Sequence, residues 1–293
     1  MSTQPKIHSF FDPHTYTVTH VVADPETHAA AIIDSVLDYD PVTGGISHES
    51  ADKVVDLIRA EGYRVDWILE THAHADHVTA AYYLKQQLGG QIAIGGRITE
   101  VQQVFVNIFN LGAEVGVDGR QFDHLWKDEE VFRVGSIEAR VLATPGHTPA
   151  DVTYLIGDAA FVGDTMFMPD YGTARCDFPG GNAQILFDSV QRLYTLPDET
   201  RVFLCHDYLP ETRTDYHWET TILNQKQQNI HVAERIQKEA FVQMRHARDK
   251  ELALPRLIIP SIQINIRAGA LPESASNGIA YLKVPINSIF AGK

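Results

Sequence analysis

Cysteine is nearly absent from this chain: only Cys176 and Cys205 occur in 293 residues. That excludes a disulfide framework. Neither thiol belongs to a CxxC pair, so a thiolate zinc site is excluded too, and a reducing cytoplasm is the expected location. No apolar run approaches the roughly 20 residues that span a bilayer, so no membrane partner is expected. The first residues, Met1-Ser2-Thr3-Gln4-Pro5-Lys6, lack the charged and apolar regions of a signal peptide. Basic charge is also scarce, with 24 Lys and Arg against 38 Asp and Glu and a formal net charge of -14. A general nucleic-acid binder would carry a basic face, so no nucleic acid is expected. A local basic pocket for an anionic substrate remains compatible with this balance. Repeats and low-complexity stretches are missing.

What is present is an ordinary hydrophobic fraction of 44% and a length that allows one large domain or a domain with an appendage. Alternating β-rich residues at 16–22 and 29–33, joined by Asp24-Pro25-Glu26-Thr27, predict a hairpin. Apolar spacing predicts helices over 50–60, 98–111 and 183–196. Strands are expected at 65–69, 91–94, 131–134, 137–142, 152–156, 160–162 and 202–205. Residues after Thr220 read as polar helix to about Leu252, followed by an irregular, Pro-punctuated tail from Leu257 to Phe290. Strands and helices alternate without a uniform βα period. The α/β class with two sheets and outer helices is therefore expected over a doubly wound sheet.

The chemistry concentrates in Thr71-His72-Ala73-His74-Ala75-Asp76-His77. Four metal-ligand side chains fall within six residues, between the strand ending at Leu69 and a helical pattern read from Val78 to Leu88. Imidazole and carboxylate together suit zinc, iron or manganese. In an extended chain His72, His74 and Asp76 share a face, and the turn into the helix swings His77 back. Crowding these groups without a metal would bury titratable side chains with no partner. Further candidates follow at strand ends: His147 in Thr144-Pro145-Gly146-His147-Thr148-Pro149, Asp164 after Gly163, and His206 in Cys205-His206-Asp207-Tyr208. Cys205 precedes His206 in a strand, so alternation points it away from the site. The stripe Val101, Val104, Phe105, Ile108 and Phe109 reads as core, with a subunit interface as the alternative. The other histidines show no clustering.

This order of ligands resembles the metallo-β-lactamase superfamily, which implies a four-layer αββα sandwich. In dinuclear members the first metal takes the positions of His72, His74 and His147. The second takes those of Asp76, His77 and His206, with the Asp164 position bridging. The stretch Met168 to Gly181, with Gly172-Thr173-Ala174-Arg175-Cys176-Asp177-Phe178, resembles the persulfide dioxygenases, and the tail resembles their longer bacterial, single-domain forms without a rhodanese unit. The resemblance implies a catalytic domain over 1–252 and an irregular extension over 253–293 packed on it. It implies oxidation of glutathione persulfide by O2 and water to sulfite and glutathione. It also implies one Fe(II) on His72, His147 and Asp164, with His74, Asp76, His77 and His206 orienting ligands or handling protons. Two Zn(II) and acylglutathione hydrolysis are the alternative, since spacing fits both. For substrate, Arg175, Tyr208 and Arg213 are the candidates, with a structural Arg175–Asp177 pair equally compatible. Cys176 is a candidate sulfur relay. A homo-oligomer, with a dimer favoured, is the default expectation.

Overall fold

The computed structural model describes residues 4–287. The readings that fall on Met1 to Thr3 and on the tail from 288 onward, Phe290 included, lie outside the described residues. One six-stranded sheet runs, in spatial order, Lys6–Asp12, Thr17–Ala23, Ala29–Ile33, Arg64–Leu69, Gln91–Gly95 and His124–Trp126. Its first three strands are antiparallel and its last four parallel. The second runs Val131–Val134, Ile137–Ala143, Val152–Ile156, Ala159–Phe161, Arg201–Phe203 and Glu219–Thr221, with Ala159–Phe161 parallel to Arg201–Phe203. A small third sheet joins Ile46–Ser47, Val36–Tyr39 and Val78–Thr79.

The layers follow from the period-2 alternation of buried strands. In Ala29–Ile33, Ala30 and Ile32 face an outer cluster with Val54, Ile58, Leu84 and Phe105 from the helices. Ala31 and Ile33 face inward and meet Phe132, Tyr154 and Phe161 of the second sheet. The outer face of that sheet, through Ala160 and Val202, meets Leu186, Val190 and Phe241. Helix, sheet, sheet and helix therefore stack as the expected four layers. Each fully buried Ile in this stack contributes roughly 1.5–3 kcal/mol relative to exposure.

The stripe on helix Ile98–Phe109 is core: Val101, Phe105 and Phe109 are buried, with Val104 and Ile108 packed against them. Two sequence readings fail, for local reasons. The helix after the ligand stretch starts at Ala81, because Val78–Thr79 pairs with Val36 and Leu37 first. The tail is not irregular throughout: Ile258–Asn265 is a buried helix. Pro260 sits in its first turn, where the missing N–H breaks no helical hydrogen bond. Its four isoleucines look strand-like out of context.

Candidate metal centre

The stretch 71–77 leaves the end of strand Arg64–Leu69 without regular secondary structure. Thr71 donates to Asp34 from its backbone N at 2.8 Å and from its hydroxyl at 2.9 Å. A hydroxyl has one hydrogen. With that committed to Asp34, Thr71 Oγ1 accepts from Nδ1 of His72 at 3.0 Å. The proton is thereby fixed on Nδ1, and the buried Nε2 lone pair has no partner among the described residues. Gly163 makes the space: its φ is +52°, and an added Cβ would fall 2.5 Å from Thr71 Oγ1.

His147 is set the same way by a different partner. Its Nδ1 donates to the Arg175 carbonyl at 2.7 Å, which leaves Nε2 as a lone pair. Gly146 before it presses on helix Ala183–Leu193, where an added Cβ would lie 2.4 Å from Leu186 Cα. Asp164 follows strand Ala159–Phe161 in a single tight turn. Its Oδ2 stands 3.9 Å from His72 Nε2 and 3.8 Å from His147 Nε2. These gaps are too long for hydrogen bonds and fall below the upper limit of roughly 4.0–4.4 Å for two donors each about 2.0–2.2 Å from one ion. Burial raises the Asp164 carboxyl and, with the charge of His74 and His147, holds His72 well below the usual imidazole range.

The remaining donors partner one another. Against its burial, Asp76 is held well below the carboxylate range by His206, whose Nε2 lies 3.0 Å away. His206 also stands 3.4 Å from Asp164, and these carboxylates overcome burial to push it up to about 9. His74 turns its Nε2 onto Asp34 at 3.1 Å and Glu70 at 3.3 Å, and these acids, opposing burial, raise it well above the usual range. Burial and the charge of His74 lower His77 to about 4. Two donor groups result: His72, His147 and Asp164, with ligand atoms within 4.8 Å of one another, and His74, Asp76, His77 and His206 on the same criterion. These residues fit a metal ion. Buried donor atoms on His72, His74, His77, Asp164 and His206 lack hydrogen-bond partners, and each such group costs about 1–3 kcal/mol if left so.

A cavity of about 330 Å³ opens onto Asp76, His147 and Asp164. Tyr208 lines it, ring-stacked on His206 at 5.5 Å with its hydroxyl 3.5 Å from Asp76 Oδ2. Arg175 lines it too, but its guanidinium grips Asp177 at 2.6 and 2.8 Å and the Ala253 carbonyl at 2.6 Å, so the structural pair is realised. Arg213 lies elsewhere. It is not part of the cavity lining, and its donors are committed to Asp170, Asp207 and the Asp215 carbonyl.

Cys205 is a correction. The strand ends at Phe203, alternation stops, and the sulfur joins Asp164 and His206 within 4.8 Å. Burial and nearby carboxylates raise its thiol well above the usual range. Cys176 is buried, its thiol likewise raised by burial and its backbone N held by Asp249. Sequence reasoning missed Arg245, which lines the cavity with a buried Nη2 that has no hydrogen-bond partner among the described residues. Its i,i+4 pair with Asp249 looks in sequence like any surface ion pair.

The model of the metallo-beta-lactamase superfamily matches residues 17–206. The chain belongs to that superfamily. It is 49% identical over 285 residues to the beta-lactamase hydrolase-like protein of Xylella fastidiosa, covering 97% of this chain and 65% of that one, so it spans about two thirds of that relative's length. It is 46% identical over 289 residues to glyoxylase B2 of Dictyostelium discoideum, covering 98% and 99%. To the human mitochondrial persulfide dioxygenase ETHE1 it is 30% identical over 205 residues, covering 69% and 68%. Among solved structures, ETHE1 from Myxococcus xanthus superimposes with a TM-score of 0.72 at 29% identity, covering 90% and 100%. This superfamily chain therefore carries the expected fold and a metal-binding His/Asp site, and no helix among its described residues is long and apolar enough to cross a membrane.

Proposed function

We propose that this chain is a persulfide dioxygenase, oxidising glutathione persulfide with O2 and water to sulfite and glutathione, with one Fe(II) on His72, His147 and Asp164. The observation that carries this reading is that His72, His147 and Asp164 form one donor group, with ligand atoms within 4.8 Å of one another, that does not include His74. The dinuclear pattern would place His74 with His72 and His147. Two His and one carboxylate would leave coordination positions open on a bound ion, and the cavity is lined by His147 and Asp164. Bound ferrous iron would supply O2 activation and a position for the persulfide sulfur.

The chain's own residues do the rest. Arg245, Arg248 and Arg256 line the cavity and offer cations to the carboxylates of glutathione. Phe167 and Tyr171 supply an apolar wall that limits water. His206 holds a proton between Asp76 and Asp164 near neutral pH, and Tyr208 directs its hydroxyl at Asp76. Thr71 and the Arg175 carbonyl keep His72 and His147 in the ligating tautomer. A cytoplasmic homodimer is part of the same proposal.

A second reading, a dinuclear zinc hydrolase of acylglutathione, is favoured by one observation: His74 Nδ1 and His77 Nε2 are buried and unpartnered beside Asp76 and His206. The names of the Xylella and Dictyostelium relatives lean the same way. O2 uptake and sulfite release with glutathione persulfide, measured beside hydrolysis of S-lactoylglutathione, decides. Persulfide-dependent uptake is expected; hydrolysis with no uptake would overturn the proposal.

A further inference from the structure

The ligand stretch 71–77 belongs to no helix or sheet ladder, so its buried backbone groups need partners from elsewhere. Val152 N donates to the Thr71 carbonyl. Three of its carbonyls are met from about 190 residues away, by the helix Ile258–Asn265. The Asn265 amide donates one N–H to the His74 carbonyl at 2.8 Å and the other to the His77 carbonyl at 2.9 Å, and its Oδ1 accepts from Thr79 N at 2.9 Å. Both amide hydrogens and one of the two acceptor lone pairs of that planar group are used. Ser261 Oγ, whose single hydrogen is shared with the Leu257 carbonyl, reaches the Ala75 carbonyl at 2.8 Å.

We infer that Asn265 is a positioning residue of the metal centre, holding the backbone on either side of Asp76 so that His74, Asp76 and His77 keep their spacing. The inference rests on the metal-site reading and not on which reaction the site performs.

A rigid amide bridging the His74 and His77 carbonyls fixes the distance between two donor-bearing residues. The connection continues inward. Thr79, held by Asn265, donates its hydroxyl to Glu70 Oε1 at 2.6 Å, and Glu70 Oε2 lies 3.3 Å from His74 Nε2. The helix is itself held firmly: Ile258, Ile262, Ile264 and Ile266 are core residues in one cluster with Val78, Ala80 and Ala81. Its exit runs against the loop at Gly269, φ +86°, where an added Cβ would lie 3.0 Å from Tyr82 N and 3.2 Å from the Thr79 carbonyl. The helix falls outside the 17–206 region matched by the superfamily, so this support is an addition to the segment that carries the ligands.

The test is metal affinity of the full-length chain, measured by chelator competition with Co(II) and Zn(II), together with the visible Co(II) spectrum and the melting temperature. Asn265→Asp keeps the shape, removes both donors and sets a carboxylate against two carbonyls. Ile264→Ala, in the same helix and buried, is the control that loosens packing without touching the loop. We expect Asn265→Asp to weaken binding at least tenfold and to alter the Co(II) spectrum, while Ile264→Ala melts lower but binds within twofold of the parent with an unchanged spectrum. If Asn265→Asp does not fold, Asn265→Ser carries the same expectation. Parent-like affinity and spectrum in the Asn265 variant, or losses that follow melting temperature equally in both variants, would overturn the inference. A parent chain that binds no metal would instead refute the metal-site reading beneath it.

Discussion

The two halves of the donor set are built differently. On the His72, His147 and Asp164 side, each imidazole is locked by a hydrogen bond from outside the site, to Thr71 or to the Arg175 carbonyl. Their free nitrogens face a carboxylate at just under 4 Å. On the other side, Asp76 and His206 close to 3.0 Å, and His74 is neutralised by Asp34 and Glu70. The first half has no internal ion pair closer than 3.8 Å; the second pairs charge with charge, yet His74 Nδ1, His77 Nε2 and His206 Nδ1 stay unpartnered among the described residues. An opposed pair of charges in low dielectric resists separation, so the Asp76–His206 pair stiffens the second half.

That contrast can be broken most severely at the open half. His147→Ala or Asp164→Ala should lose iron and activity together, by more than the 10–100-fold typical of an outer hydrogen-bond partner. Metal analysis and O2 uptake on the same samples check it, and full iron retention in both would contradict the assignment. Next in size is Thr71→Val, which keeps the shape but removes the relay from Asp34 to His72. Metal affinity should fall about 10–100-fold, read by chelator competition; an unchanged affinity would mean that the tautomer is set by something else. In the self-paired half, Asp76→Asn should still load iron to within about twofold of the parent at saturating Fe(II), with affinity lowered about 10–100-fold as for an outer partner, while turnover falls, since by this account Asp76 shapes the site without holding the ion. Iron loss equal to that of Asp164→Ala would merge the two halves into one dinuclear site.

The smallest effect separates acid damage to the fold from acid damage to the site. His20 is buried, with its ring bonded to the Leu204 carbonyl and Ser9, and burial lowers it from the ordinary 6.5 to about 4. The unfolded chain therefore binds the extra proton between those values. The stability tied to neutral His20 is intact above pH 6.5 and is lost as pH falls toward 4, reaching about 1 kcal/mol at pH 5.5. His20→Gln should flatten the decline of melting temperature across that window. A slope unchanged from the parent would assign the acid sensitivity to other groups.

Much of this molecule is legible in its sequence, because strong apolar periodicity and clustered ligands are local signals. The four layers follow from strands such as Ala29–Ile33, and the seven ligand-type residues do converge. The failures have different causes, some local and some from partners far along the chain. Cys205 turned toward the site because the strand stopped at Phe203. Arg213 is spent on Asp207 and Asp170, and Arg245 is drawn into the cavity wall. Asn265 showed nothing local at all, since its three partners lie in the ligand stretch and just beyond it.

The central claim is that one ion on the open half is sufficient. Metal-free protein titrated anaerobically with Fe(II) and then assayed for O2 uptake with glutathione persulfide tests it directly. The account predicts that activity rises linearly and saturates at one iron per chain. Activity that appears only near two equivalents, or that takes the form of thioester hydrolysis with two zinc ions and no O2 uptake, would contradict it.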